Sequence, residues 1–185
     1  DFFYASELKN FQKQTLSILN IGENKILNSD TNRHIEAREL IVVDHPWYHK
    51  GFILNEVEFL PAWIIHWLRN VYLKYAKQFD NNEKIYIDRT ESKFKHCQIQ
   101  NDKEVFGFLK EKGFSKYRTG ELSFFEQIYL FNNAKFVVGA HGAAFTNLTF
   151  CKPNTNIIEI KPSTHPNNVN KRISQINNLN YRLIK

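Results

Sequence analysis

The chain has 185 residues, of which 42% are hydrophobic and 24% charged, the balance of an ordinary globular protein. This length suits a single domain with a sizeable core. No apolar run approaches the 18 or so residues that cross a bilayer, and no signal-peptide pattern opens the chain. The sequence therefore predicts a cytoplasmic protein without a transmembrane segment, and leaves association with a membrane surface open.

The formal net charge is +6, which suits an anionic ligand such as a nucleotide, a nucleic acid or a membrane headgroup. The lysines are scattered, and no stripe interleaves basic with aromatic residues, so nucleic-acid binding is not expected. Cys97 and Cys151 lie far apart and in no metal-ligand spacing. They are predicted to be free thiols, and no metal is expected.

In chain order, the patterns first predict a helix at Glu7–Asn20, a buried strand at Glu39–Asp44, and a loop at His45–Phe59. A long helix is predicted at Ala62–Phe79, with Pro61 in its first turn. Its apolar side chains recur every 3.6 residues, which is typical of a core or domain-packing face: Trp63, Ile64, Trp67, Leu68, Val71, Tyr72 and Tyr75.

Strand and helix patterns then alternate along the second half of the chain. Strands are predicted at Lys84–Asp88, Ser115–Arg118, Phe136–Val138, Asn156–Ile160 and Tyr181–Ile184. Helices are predicted from Asn101 to Lys112, at Phe124–Asn133, after Gly142, and at Lys171–Asn178. This alternation indicates an α/β fold: a Rossmann-like parallel sheet with helices on both faces and right-handed crossovers.

The segment KFVVGAHGAAFTNLTF, residues 135–150, carries the clearest functional signal. A short apolar strand leads through Gly139, His141 and Gly142 into a helix start at Ala143, with the polar residues Thr146 and Asn147 near its first turn. Glycines allow a ligand to approach the backbone closely, and the N–H groups of a helix start attract anions. His141 adds a hydrogen-bond donor. A tight turn that serves packing alone would give the same pattern.

Ligands of such sheets bind at the carboxyl ends of the strands. Residues predicted at that edge are Arg89, His141 and Lys161, which follow strands, and Ser123, Glu126 and Gln127, which open a helix. Ser123 and Glu126 also have capping-box spacing, so Glu126 has either a capping or a ribose-binding role. Lys93, Lys95 and His96 follow Arg89 in a polar loop, where phosphate contact and solvation are both open.

The second half of the chain resembles glycosyltransferase family 61. Several of its motifs occur here in order: Ile85–Arg89, Asn101–Asp102, Gly113–Phe114, Leu122–Gln127, Val138–Leu148, Pro153 and Ile157–Ile160. Leu19–Gly22 and the strand at Leu40–Val43 are also similar. The family's second arginine in the basic loop is absent, so Lys93, Lys95 or His96 would stand in, with a point charge instead of a bidentate fork.

The resemblance implies an inverting GT-B glycosyltransferase of polysaccharide biosynthesis, which transfers a hexose or pentose from a nucleotide sugar, typically UDP-linked, to a glycan or glycoconjugate. Residues 1–185 would be one donor-binding domain of a longer two-domain protein, with residues 1–60 partly in the inter-domain region. The acceptor and the general base would belong mainly to a missing N-terminal domain, and the chain alone would be inactive. A non-catalytic nucleotide-binding module is the alternative.

The same resemblance assigns roles to individual residues. Arg89 and His141 would act in catalysis, without cofactor or metal, and the absence of an Asp-x-Asp motif agrees with this. The nucleotide sugar would be bound by Arg89, Lys93, Lys95, Ser123, Glu126, Gln127, Gly139, His141, Gly142, Ala143, Thr146 and Asn147.

Overall fold

A computed structural model of the protein describes residues 2–42, 59–90, 97–165 and 168–185. It forms two compact units, Asp1–His45 and Pro46–Lys185. The predicted loop at 45–59 lies outside the described residues except for Phe59, as do Lys93, Lys95 and His96.

The first unit is a small βαβ arrangement. Strand β1 (Phe3–Ala5) pairs in parallel with strand β2 (Ile26–Asn28), and helix α1 (Asn10–Ile18) connects them. The helix was predicted, whereas the three-residue strands were not, because such short runs carry no periodicity. The prediction of a buried strand at Glu39–Asp44 is wrong for its described part: residues 39–42 are outside any strand and exposed, with Ile41 80% exposed.

The second unit is built on a five-stranded, fully parallel sheet, which confirms the Rossmann-like α/β prediction. Its strands are β3 (Lys84–Ile87), β4 (Ser115–Tyr117), β5 (Phe136–Ala140), β6 (Asn156–Ile160) and β7 (Asn180–Ile184). Their spatial order is β4-β3-β5-β6-β7. The register pairs Ile87 with Gly139 and Gly139 with Glu159, so the carboxyl ends of β3, β5 and β6 meet at one edge.

Among the described residues, four α-helices flank this sheet. They are α2 (Ala62–Tyr72), α3 (Asp102–Glu111), α4 (Phe124–Asn133) and α5 (Val169–Ile176). Helix α2 is shorter than predicted and passes into a 3-10 turn at Leu73–Tyr75. The apolar stripe predicted for this helix is only partly buried: Tyr72 is in the core, whereas Trp63 is 61% exposed when only the described residues are considered. Ile65, which does not belong to the predicted stripe, is buried.

The segment after Gly142 is a 3-10 helix, Ala143–Phe150, and not the start of an α-helix. Its carboxyl end is anchored from two helices. The Arg69 side chain of α2 donates to the carbonyls of Thr149 and Cys151 at 2.6 and 2.7 Å. Asn177, which ends α5, donates to the carbonyls of Leu148 and Thr149 at 3.0 and 2.9 Å. These bonds satisfy carbonyls that the tight helix leaves open, so the segment is a fixed part of the scaffold.

Position 139, one residue before the end of strand β5, has no room for a side chain. A Cβ there would lie 3.0 Å from the carbonyl oxygen of Ile87 and 3.1 Å from the Phe145 ring. Close packing therefore explains the glycine at position 139, as expected from the alternative that the small residues of this segment serve packing alone.

We expect Gly139→Ala to lower the free energy of unfolding by about 1–3 kcal/mol, because both neighbours are buried and cannot move away cheaply. Gly107→Ala is the matched control. It lies inside α3 with nothing within 4 Å of the added Cβ, so we expect it to stabilise by roughly 0.5–1 kcal/mol. Urea unfolding of both variants checks this, and equal effects of the two substitutions would contradict the packing argument.

Candidate functional site

The closest approach at the sheet edge is between Arg89, which follows β3, and Gly142, which follows β5. A Cβ on Gly142 would lie 2.2 Å from Arg89 Nη1 and 2.4 Å from Cζ, so the guanidinium rests directly on the glycine. The backbone of Gly142 is extended, with φ 165°, which any residue adopts. Space for the guanidinium, and not backbone conformation, therefore requires glycine here.

Arg89 lines two clefts, one on each side. The first has a volume of about 440 Å³ and lies between the end of β3 and the start of α3; its other lining residues are Tyr86, Ile87, Thr90, Gln98–Glu104 and Ala140. The second, of about 410 Å³, is lined also by Asp88, Arg118–Glu121, Ala143 and Ala144. Each is within the size range of small-molecule sites. Arg89 is thus common to the linings of both clefts.

Asp88 balances the other cations of the second cleft. Its carboxylate accepts from Arg118 Nε at 2.9 Å and from the backbone N–H of Thr90 at 2.9 Å, and Lys116 lies 3.9 Å away. Burial raises the pKa of Asp88. The hydrogen bonds from Thr90 and Arg118 and the charge of Lys116 together lower it by more than burial raises it, so the net shift of the pKa is downward. Asp88 is therefore ionised and holds Arg118 in place.

Asp102 is the corresponding hydrogen-bond acceptor at the first cleft. Its side chain accepts hydrogen bonds from the Tyr86 hydroxyl and, at 2.9 Å, from Lys116. Burial, followed by the bond to Asp102, raises the pKa of Tyr86. The Tyr86 ring stacks on Phe106, with 5.6 Å between ring centroids. The start of α3 is thereby fixed against strand β3, and it forms a stable wall of the cleft.

His141 belongs to a buried polar cluster at the ends of β5 and β6. Its Nδ1 is hydrogen-bonded to Glu159 Oε1, and its ring lies against the ring of His165, with 4.2 Å between centroids. Glu159 also accepts from Asn170 Nδ2 at 2.7 Å and from the Tyr181 hydroxyl. The carboxylate thus has partners from the residue that follows β5, from α5 and from β7.

Glu159 is ionised in this cluster although it is only 1% exposed. Burial alone raises its pKa, but the hydrogen bonds from His141, Tyr181 and Asn170 outweigh burial and leave the pKa below its usual value. Nδ1 is the ring nitrogen of His141 that contacts this carboxylate. The cluster thereby sets which nitrogen of His141 remains for other partners.

Ser123 and Glu126 form the capping box that the sequence indicated. Ser123 Oγ accepts from the Glu126 N–H at 3.3 Å, and Glu126 Oε2 accepts from the Ser123 N–H at 2.9 Å. The bonds from the Ser123 hydroxyl and backbone lower the pKa of Glu126, with a smaller contribution from Lys77 at 3.5 Å. Neither residue lines the two clefts formed by the described residues.

Gln127 and Asn147 brace the scaffold. The Gln127 side chain donates to the carbonyls of Thr119 and Leu122 at 2.9 and 3.1 Å and accepts from Asn147 at 2.9 Å. Thr146 donates to the carbonyl of Ala143 at 2.7 Å. These bonds connect the 3-10 segment to the loop beside the second cleft.

Of the predicted site residues, the structure brings together Arg89, Gly142 and Ala143. His141 directly precedes Gly142 in the sequence. Sequence reasoning missed Glu159, Asn170, Tyr181, Asp88 and Arg118. The one available signal was Glu159, a charged residue in the apolar strand NIIEI. Its partners come from other elements and have no local pattern.

Comparison with protein families identifies the family of this chain. The sequence model of glycosyltransferase 61 matches residues 5–158, most of the chain, and the protein therefore belongs to glycosyltransferase family 61. None of the curated proteins matches it. Among the described residues, no helix is long and apolar enough to cross a membrane.

The cap and the ligand roles of the α4 start are separable. We expect Ser123→Ala to lower the free energy of unfolding by about 0.5–2 kcal/mol, because it removes the N-cap oxygen, and to leave ligand affinity unchanged. Glu126→Gln keeps a capping-box side chain and is expected to fold and bind like the wild type. Melting curves and UDP titrations on both variants check this, and weaker UDP binding by Glu126→Gln would assign the carboxylate to the ligand.

Proposed function

We propose that this chain is the donor-binding part of an inverting, metal-independent GT-B glycosyltransferase that uses a nucleotide sugar, UDP-linked by preference. The observation that carries the proposal is Arg89, seated on Gly142 between two clefts at the carboxyl edge of a parallel sheet. That edge is where doubly wound sheets bind nucleotides. Membership of family 61 supplies the reaction class.

The chemistry of glycosyl transfer explains the need for such a residue. As the bond between the sugar and the diphosphate breaks, negative charge builds up on the departing diphosphate. Fixed donors placed where this charge develops stabilise the transition state. Arg89 provides a planar, permanently charged donor that can hold two phosphate oxygens, and the loop from Gly139 to Ala143 provides backbone close by.

The acceptor side of the reaction is assigned to a further domain. In an inverting displacement the acceptor hydroxyl attacks the face of the sugar opposite the leaving diphosphate. A base beside the diphosphate, such as His141, is on the wrong face to take the acceptor proton. We therefore propose that the base and most acceptor contacts lie in another domain, and that His141 contacts the donor. The cytoplasmic location stays a prediction.

We expect Arg89→Ala to weaken UDP binding roughly 10- to 150-fold, as for the loss of a charge-assisted hydrogen bond. Gly142→Ala keeps the arginine but pushes its guanidinium away, and it should weaken binding about 10-fold or more for the same reason. Calorimetric titration with UDP in the presence of EDTA measures both effects. Gly107→Ala, whose added Cβ would meet nothing within 4 Å, is the control with wild-type affinity.

Two results would contradict the proposal. One is the absence of binding by the wild type to UDP, GDP, CMP or ADP at millimolar concentration. The other is an Arg89→Ala protein that melts early but binds normally, which would make Arg89 a structural cation. A non-catalytic module would bind as predicted, yet never transfer sugar when an acceptor-binding domain is supplied.

A further inference from the structure

Arg118 brings a second guanidinium to the edge of the sheet at which Arg89 lies. Strands β3 and β4 are parallel neighbours, and the N–H of Asp88 donates to the carbonyl of Tyr117 at 2.9 Å. The residues that follow these two strands therefore lie side by side. Arg89 and Arg118 both line the second cleft. Two segments that are distant in the sequence thereby place an arginine at the same cleft.

A buried carboxylate fixes the position of Arg118. The side chain of Asp88 has no exposed surface, and it accepts a hydrogen bond from Arg118 Nε at 2.9 Å. A guanidinium has five N–H donors in a planar fork, and the bond from Nε uses one of them. The Arg118 side chain is 38% exposed, so part of the fork is accessible from the cleft. An arginine that is already held in place loses less conformational entropy when it binds a ligand.

The contact between Arg118 and Glu121 is much weaker. Arg118 Nη1 and Glu121 Oε1 are 3.4 Å apart, and the Glu121 side chain is 64% exposed. Exposed ion pairs contribute little to stability, because both charges remain hydrated. A phosphate oxygen can therefore replace the Glu121 carboxylate at Nη1 at small cost, whereas the bond to buried Asp88 stays in place.

We propose that Arg118 binds the β-phosphate of the nucleoside diphosphate in the second cleft, while Arg89 binds the α-phosphate. This inference rests on the proposed function and identifies a second phosphate-binding residue. Arg89 lines both clefts, so the middle of an extended ligand, its α-phosphate, is expected there. Two guanidiniums that each hold two phosphate oxygens favour a diphosphate over a monophosphate. The β-phosphate carries the bond to the sugar, so Arg118 lies where the negative charge of the leaving group develops.

The first cleft offers a different cation, Lys103. It is exposed and lies in the first turn of α3, and both of its neighbours in the sequence, Asp102 and Glu104, line the same cleft. Their charges offset that of the lysine, and its ammonium is a point charge on a flexible stem. Arg118, fixed by Asp88, is therefore the better site for a β-phosphate, and the first cleft is left for the nucleoside.

The UDP and UMP affinities of the full chain and its variants, measured by calorimetry in the presence of EDTA, test this assignment. We expect Arg118→Ala to weaken UDP binding about 10-fold or more, the effect of a lost charge-assisted contact. It should leave UMP affinity nearly unchanged, because UMP has no β-phosphate. Arg89→Ala should weaken the binding of both nucleotides. A merely structural role of Arg118 would lower both affinities together and would not change their ratio.

Arg118→Lys tests the same contact with less risk to the fold. Arg118→Ala removes a partner of the buried Asp88 carboxylate, whereas lysine keeps a positive charge beside it. Because lysine lacks the planar fork, we expect Arg118→Lys to melt close to the wild type, to weaken UDP binding several-fold, and to bind UMP normally.

Two controls match the loss of one positive charge. Lys103→Ala removes the cation of the first cleft, and Arg182→Ala removes an exposed arginine of β7 that lies outside the linings of both clefts. Both variants should keep the wild-type affinity for UDP and for UMP. A weaker binding of UDP by Lys103→Ala would place the β-phosphate in the first cleft and overturn the inference.

The outcomes separate this inference from the function on which it rests. If the wild type binds UDP and Arg89→Ala weakens it, but both Arg118 variants keep the wild-type UDP affinity, the inference fails and the proposed function stands. Equal losses of UDP and UMP affinity in the Arg118 variants would show that Arg118 only supports the fold. If the wild type binds no nucleotide, the proposed function itself fails.

Discussion

The contact between the Arg89 guanidinium and the α-carbon of Gly142 is the constraint on which the site depends. It exists because β3 and β5 are parallel neighbours, so their carboxyl ends deliver the two residues side by side. Gly139 extends the same requirement into the strand, since a Cβ there would strike Ile87 and Phe145. The two glycines thus have different roles: Gly139 in strand β5 allows close packing against Ile87 and Phe145, and Gly142 after the strand makes room for Arg89.

Hydrogen bonds from polar side chains stabilise the 3-10 segment that follows this contact. The 3-10 segment is too tight to satisfy its own carbonyls, and Arg69 and Asn177 supply the missing donors at its end. Gln127 and Asn147 connect it to the loop of the second cleft. The carboxyl end of the segment that follows Gly142 is therefore anchored from three helices. A site that positions a ligand precisely needs this kind of rigidity.

The sequence predicted the sheet of the second unit well because each strand there has its own local signal. It failed at Glu39–Asp44, where an apolar run has no strand partner in the described structure, and at the 3-10 segment, since its small residues resemble an α-helix start. The candidate site was predicted at its strand ends, Arg89 and His141. Glu159 and Asp88 were missed because their significance lies in partners more than ten residues away, which no spacing rule connects.

The two buried carboxylates show why local geometry, and not net charge, decides how this chain meets an anion. Asp88 binds Arg118 and lies near Lys116, and Glu159 binds His141. Asp88 offsets the charges of Arg118 and Lys116 beside the second cleft, so the formal net charge of +6 does not by itself describe this site. A surface charge would be screened within roughly 8–10 Å at physiological salt, but a half-buried guanidinium is screened much less. Affinity for a diphosphate should then follow the placement of Arg89 and respond only weakly to added salt.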